Sequence, residues 1–172
     1  MVSLLLIGSG AREVAIARKI KESSSSTLLY CVASTTNPQI KNLSELYFEQ
    51  SPSEISSVLE SIQNLAIDLA IIGPENPLEA GLVDALEKVG IPCVGPKKGV
   101  AKIETSKAFA RNILDHCSPE MNPERKEFFS IDGVEDFLQH LNGEYVIKYD
   151  GLMGGKGVKI SGEHLHSIED SL

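Results

Sequence analysis

Leu4-Leu5-Leu6-Ile7-Gly8-Ser9-Gly10-Ala11-Arg12-Glu13 decides the fold class. Four apolar residues in a row read as a buried strand, and Gly8-Ser9-Gly10 turns the chain tightly. Ala11 to Lys21 then fits a helix with Val14, Ala15, Ala17 and Ile20 apolar and Arg18 basic. A strand, a glycine turn and a helix in succession set the amides of the helix N-terminus over an anion site. A dinucleotide is the first candidate, but the fingerprint G-x-G-x-x-G needs a small residue where the chain has Glu13. The second strand, Leu28 to Val32, runs into Ala33-Ser34-Thr35-Thr36-Asn37-Pro38 without the acidic residue that would hold a ribose of NAD. A phosphate-bearing substrate fits better.

The same unit recurs downstream. Ser51-Pro52-Ser53-Glu54 carries a serine cap, a proline at the first helical position and a glutamate three residues after the cap. It predicts a helix with Ile55, Val58, Leu59, Ile62 and Leu65 on one face. Asp68 to Ile72 reads as a buried strand ending at Gly73-Pro74-Glu75-Asn76-Pro77. Leu78, Leu82, Val83 and Leu86 mark the next helix, stopped near Gly90, and Pro92 to Val94 is a short strand before Gly95-Pro96. Alternating β and α units predict a mostly parallel sheet with ligands at the carboxyl ends of its strands, where Gly8 to Gly10, Asn37, Glu75 and Gly95 fall.

From about Thr105 the pattern changes. Ser106 to Cys117 predicts a helix, Phe128-Phe129 a strand, and the pair Asp132 and Glu135 the cap of a helix with Val134, Phe137, Leu138 and Leu141. Tyr145 to Ile160 then reads as strand, glycine-rich loop, strand. Gly151, Gly154, Gly155 and Gly157 leave the loop backbone free to approach a ligand, and Lys148 and Lys156 bracket it. Backbone donors and cations on such a flap suit a polyphosphate. No Ser or Thr follows Lys156, so this is not a Walker-type loop. Lys148, inside an apolar strand, is expected to be buried and to need an anionic partner. Residues Ser161 to Leu172 begin another element, which suggests a fragment of a longer protein.

Composition narrows the partners. A 172-residue chain with 42% hydrophobic residues is long enough for a packed core, and its formal net charge of −8 argues against nucleic acid or an anionic membrane as a general partner. Cys31, Cys93 and Cys117 form no metal-ligand spacing and are expected to be reduced, buried packing residues of a cytoplasmic protein. The first apolar run is too short for a signal peptide or a membrane span. His164 and His166 lack a third ligand and read as a surface pair. Ser23 to Ser26 reads as a solvated loop.

Four blocks occur in a specific order. They are Gly8-Ser9-Gly10-Ala11-Arg12-Glu13, then Ile72-Gly73-Pro74-Glu75-Asn76-Pro77-Leu78, then Gly95-Pro96 with Ser106-Lys107-Ala108-Phe109, then Lys148-Tyr149-Asp150-Gly151-Leu152 through Gly157-Val158. The set resembles the phosphoribosylamine–glycine ligase family, the glycinamide ribonucleotide synthetases of the ATP-grasp superfamily, over essentially the whole chain. The resemblance implies an α/β fold: a parallel-sheet, pre-ATP-grasp domain at 1–104, then an incomplete ATP-grasp lobe at 105–172. It implies ligation of glycine to 5-phosphoribosylamine, with ATP turning the glycine carboxylate into an acyl phosphate. It assigns Lys107, Lys148, Gly151, Gly154, Gly155, Lys156 and Gly157 to ATP, and Gly8, Gly10, Arg12, Glu13, Asn37 and Glu75 to phosphoribosylamine. Magnesium is implied with its ligands beyond position 172, so the chain alone is not expected to turn over. Val14 stands where the family commonly has His, and Thr35-Thr36-Asn37-Pro38-Gln39 replaces a glycine-rich asparagine turn. Asp150 reads as a turn carboxylate. Another ATP-grasp ligase, a biotin-dependent carboxylase subunit and a non-catalytic phosphosugar- or nucleotide-binding module are the alternatives.

Overall fold

The first apolar run forms β1 (Val2–Ile7) in the computed structural model, which describes residues 1–23 and 25–172. It is followed by α1 (Ala11–Glu22), β2 (Thr27–Ala33), α2 (Pro38–Leu43), β3 (Leu46–Glu49), α3 (Ile55–Ile62), β4 (Leu69–Ile72), α4 (Glu75–Ala80), α5 (Leu82–Lys88) and β5 (Cys93–Val94). The strands pair in parallel in the order β3-β2-β1-β4-β5. β1 is central, with Leu4 to Ile7 beside Leu29 to Val32 on one side and Leu69 to Ile72 on the other. Its unbroken apolar run follows from that position, since helices cover both faces of the sheet. Leu5 and Ile7 pack with Val58, Ile62, Leu82, Val83 and Leu86 from α3 and α5. Leu4 and Leu6 face the other way, onto Ala17 of α1 and Ile40 of α2. Burying each such side chain contributes about 1.5–3 kcal/mol, so this double-sided strand anchors the sheet.

Several local expectations are corrected. α3 begins at Ile55, not at Pro52, because the Glu54 amide bonds the Ser51 carbonyl (3.1 Å) and closes a turn with proline at its second position. Leu65 lies beyond that helix but still packs on the same core. The helix expected through Leu78 to Leu86 is two, α4 and α5, broken at Gly81, whose φ of 99° ends one and opens the other. α2 and β3 carry no strong local signal and were not anticipated. The serine run at 23–26 includes Ser24, which lies outside the described residues.

The chain divides into two compact units, Met1–Lys102 and Ile103–Leu172. α6 (Lys98–Thr105), also unanticipated, leads into α7 (Lys107–Cys117), capped by the Ser106 hydroxyl on the Phe109 amide at 3.1 Å. α8 (Val134–His140), β6 (Val146–Lys148) and β7 (Val158–Ile160) follow. β6 and β7 form an antiparallel pair, Val146 opposite Ile160 and Lys148 opposite Val158. A small core of Leu138, Tyr145 and Leu165 takes in Ile147 from one face of this pair.

Here too the structure departs from expectation. Phe128-Phe129 is not a strand: Phe128 packs against the Phe137 ring (5.8 Å between centroids) under the Lys126 ammonium, and Phe129 is exposed. Asp132 does not cap α8; Gly133 occupies the cap position at φ 75°, and Asp132 instead pairs with Ser130. Residues 161–172 form no further α-helix: Ser161 and Leu165 make an isolated β-bridge and Glu169–Ser171 a short 3-10 turn. Lys148 is exposed, because Ile147 takes the covered face and its neighbours Val146 and Lys148 point the other way. No helix among the described residues is long and apolar enough to cross a membrane.

The cysteines also differ from one another: Cys31 is buried, Cys93 half-buried and Cys117 exposed. Burial pushes the Cys31 thiol up to about 12, a nearby Tyr47 hydroxyl offsetting part of this, and the Cys93 thiol up to about 11. Iodoacetamide at neutral pH should therefore label Cys117 first and leave Cys31 unmodified until denaturant is added. Peptide mapping that finds Cys31 labelled in the native chain would contradict this burial.

Candidate functional site

In a sheet of this order the chain leaves β1 toward β2 on one side and returns to β4 on the other, and the gap between the two departing turns is the usual ligand crevice. A cleft of about 500 Å³ lies there, lined by Gly8 to Glu13, Ser34, Ser51 to Ser53, Pro74, Asn76 and Pro77. Of the residues expected to hold a phosphosugar, Gly8, Gly10, Arg12 and Glu13 line it. Asn37 and Glu75 are not among its lining residues, and neither is Gly95, which packs instead beside Leu78 and Val83. Ser9, Ser34 and Ser53 were not singled out by sequence; their loop positions after the strands were the available signal.

An α-helix leaves its first amides without intrahelical acceptors. At α1 the Gly10 amide donates to Glu13 Oε2 at 2.6 Å, while Ala11 and Arg12 begin the helix at the cleft wall. Glu13 is thus a capping carboxylate, 3% exposed, and its Oε1 has no hydrogen-bond partner among the described residues. It sits among three glycines from two turns. A Cβ at Gly73 would come within 1.9 Å of Oε1, one at Gly10 within 2.8 Å of Oε2, and one at Gly8 within 3.0 Å of Cγ. The residue that breaks the dinucleotide pattern is the one that locks the β1–α1 turn to the β4–α4 turn.

Arg12 and Glu75 meet across the same two turns, guanidinium to carboxylate at 2.9 Å. The Arg12 hydrogen bond holds the Glu75 carboxyl below its ordinary value, and Glu75 in turn raises Arg12. Both side chains are solvent-accessible, so the pair adds little stability and leaves both groups available to a ligand. Asn37 lies at the edge: its Oδ1 caps α2 by accepting from Gln39 and Ile40, and its Nδ2 donates to the Ser9 carbonyl at 2.9 Å. Its amide group is committed to holding the first turn. Gln39, at the departure from the family pattern, accepts from Arg18.

The residues expected to meet ATP lie in the second unit. The base of the flap is closed by the Tyr149 amide on the Gly157 carbonyl at 2.8 Å. Gly157 admits no side chain, since a Cβ would approach Met153 to 2.8 Å. At the tip a Cβ on Gly154 or Gly155 would meet nothing within 4 Å, and Lys156 and Lys148 are exposed. This donor set, glycine amides and two lysines, fits a polyphosphate. The Lys107 ammonium donates to the Gly151 carbonyl at 2.8 Å. Asp150 is more than a turn residue: Oδ1 accepts from the Lys107 and Ala108 amides (2.6 and 3.2 Å) and Oδ2 from the Ser106 hydroxyl (3.1 Å). Burial raises its pKa, but these hydrogen bonds and the Lys107 charge outweigh that and leave it below the ordinary value. Among the described residues no group of three His, Cys, Asp or Glu is placed to hold a metal ion.

The family model described as "Phosphoribosylglycinamide synthetase, N domain" matches residues 2–104. A phosphoribosylamine–glycine ligase of Methanosarcina barkeri is 42% identical over 168 residues, and one of Methanocella arvoryzae 39% identical over 170, spanning 98% and 99% of this chain. The chain covers 39% of the length of each. A crystal structure of phosphoribosylglycinamide synthetase from Anaerococcus prevotii superposes with a TM-score of 0.64 at 15% identity, covering 99% of this chain and 40% of that one. That likeness carries the fold alone, a five-stranded parallel-sheet unit followed by a smaller unit with a two-stranded antiparallel sheet. Through residues 2–104 the chain belongs to the phosphoribosylglycinamide synthetase N-domain family.

Proposed function

We propose that this chain is the amino-terminal part of a cytoplasmic phosphoribosylamine–glycine ligase of de novo purine synthesis. The enzyme joins glycine to 5-phosphoribosylamine and releases glycinamide ribonucleotide, ADP and phosphate. The observation that carries the reading is the cleft at the switch point, walled by the start of α1, whose Arg12 holds the Glu75 carboxylate at 2.9 Å. The α1 amides and Arg12 meet the phosphate of phosphoribosylamine, and Glu75 accepts from its ribose hydroxyls. Glu13 and Asn37 serve the ligand through the turn they hold.

In the second unit Lys148, Lys156 and the amides of Gly151 to Gly157 take the ATP phosphates, with Lys107 at the flap base. ATP supplies the activation of the glycine carboxylate. The protein's part is positioning and charge neutralisation, which phosphoryl transfer needs more than a protein nucleophile. Magnesium finds no ligand set among the described residues. Its carboxylates come from the remaining length of the longer ligase in this reading, and the 172-residue chain alone does not turn over.

Glu75→Ala tests the first site. It should weaken ribose 5-phosphate binding by about 1–3 kcal/mol, the worth of charge-assisted hydrogen bonds, as read by calorimetry. Unchanged affinity would remove Glu75 from the site.

A further inference from the structure

The first backbone amides of α7, those of Lys107, Ala108 and Phe109, are all taken within the chain. Ser106 takes the Phe109 amide, and Asp150 takes the Lys107 and Ala108 amides together with the Ser106 hydroxyl. A carboxylate therefore occupies the position at which a helix N-terminus would otherwise receive a phosphate. Asp150 lies 43 residues away in the chain and immediately precedes Gly151, where the flap leaves β6 with φ 121°. The next carbonyl, that of Gly151, is held by the Lys107 ammonium at 2.8 Å. The returning end is fixed by the Tyr149–Gly157 hydrogen bond. Beyond these ties the tip has, among the described residues, the Lys156 amide on the Met153 carbonyl at 3.0 Å, and a Cβ at Gly154 or Gly155 would meet nothing within 4 Å.

We propose that Asp150 is a positioning residue for nucleotide binding, fixing the base of the glycine flap on the first turn of α7. The tip closes over the phosphates from this base, and Lys107 and Lys148 keep their spacing while it moves. Asp150 touches no substrate; it acts through Lys107 and Gly151. This rests on the nucleotide role proposed above for the flap.

The test compares Asp150→Ala with Asp150→Asn in the full-length ligase. Alanine removes both acceptors; asparagine keeps one oxygen for the α7 amides. Asp150→Ala should raise KM for ATP about tenfold, with KM for glycine within about twofold, the signature of lost binding at one substrate only. Trypsin should cut after Lys156 about fivefold faster, because a flap with a loosened base opens more often. Asp150→Asn should recover most of both effects. Equal rises in the two KM values that track a fall in Tm would overturn the proposal, as would unchanged ATP KM and cleavage. The trypsin measurement needs no turnover. If glycine-dependent product is absent, faster cleavage in Asp150→Ala, slowed again in Asp150→Asn, still supports the clamp, whereas equal cleavage in all three proteins refutes it.

Discussion

Gly73→Ala should destabilise the first unit by about 2–4 kcal/mol, combining overpacking with the loss of a charge-assisted hydrogen bond. The new methyl would lie 1.9 Å from Glu13 Oε1 and 2.6 Å from its Cδ. The carboxylate has nowhere to retreat, being 3% exposed and hydrogen-bonded to the Gly10 amide at 2.6 Å. Either it leaves its cap, freeing the Gly10 amide, or the β4–α4 turn moves and the cleft opens. Urea denaturation of the chain reads the cost. Glu13→Ala in the same chain should relieve the clash, so that the double variant loses less than the sum of the two single ones by more than about 1 kcal/mol. A Gly73→Ala chain within about 0.5 kcal/mol of the parent would show that Glu13 is not locked there.

Lys148→Ala should lower turnover of the full-length ligase by about 10²-fold, the scale on which removing one preorganised electrostatic contact acts. Stability should change by less than about 0.5 kcal/mol. The separation follows from position: Lys148 is exposed on the uncovered face of β6, and its ammonium makes no hydrogen bond or ion pair among the described residues. Such a cation has no folding role to lose, only its effect on the phosphates. Steady-state kinetics beside thermal melting measures both. Turnover like the parent's would remove Lys148 from the nucleotide site.

What could be read from the sequence follows the range over which each signal acts. β1, its glycine turn and α1 were legible because an apolar run, a tight turn and a helical period all lie within twenty residues. The parallel order followed from repeated β–α units. Ser51 to Glu54 misled because the same four residues suit a β-turn as well as a helix start, and tertiary context chose the turn. Lys148 looked buried because it follows two β-branched residues. A strand in a two-stranded sheet with one covered face nevertheless exposes every second side chain. Phe128-Phe129 has strand-forming side chains, but Phe128 finds a ring and an ammonium to pack against instead of a strand, and Phe129 stays exposed. Glu13 was visible as the residue that spoils a dinucleotide motif; its place among three glycines is a contact between distant turns. The Asp150 cap on α7 has no local signature at all, since donor and acceptor are 43 residues apart.

The most direct measurement is product formation by the full-length protein supplied with 5-phosphoribosylamine, ¹³C-labelled glycine and ATP. Mass spectrometry should find labelled glycinamide ribonucleotide in step with ADP, and omitting either glycine or phosphoribosylamine should stop both. ADP released without glycine, or label incorporated from bicarbonate in place of glycine, would contradict the assignment and point to a different carboxylate-activating enzyme of the same fold.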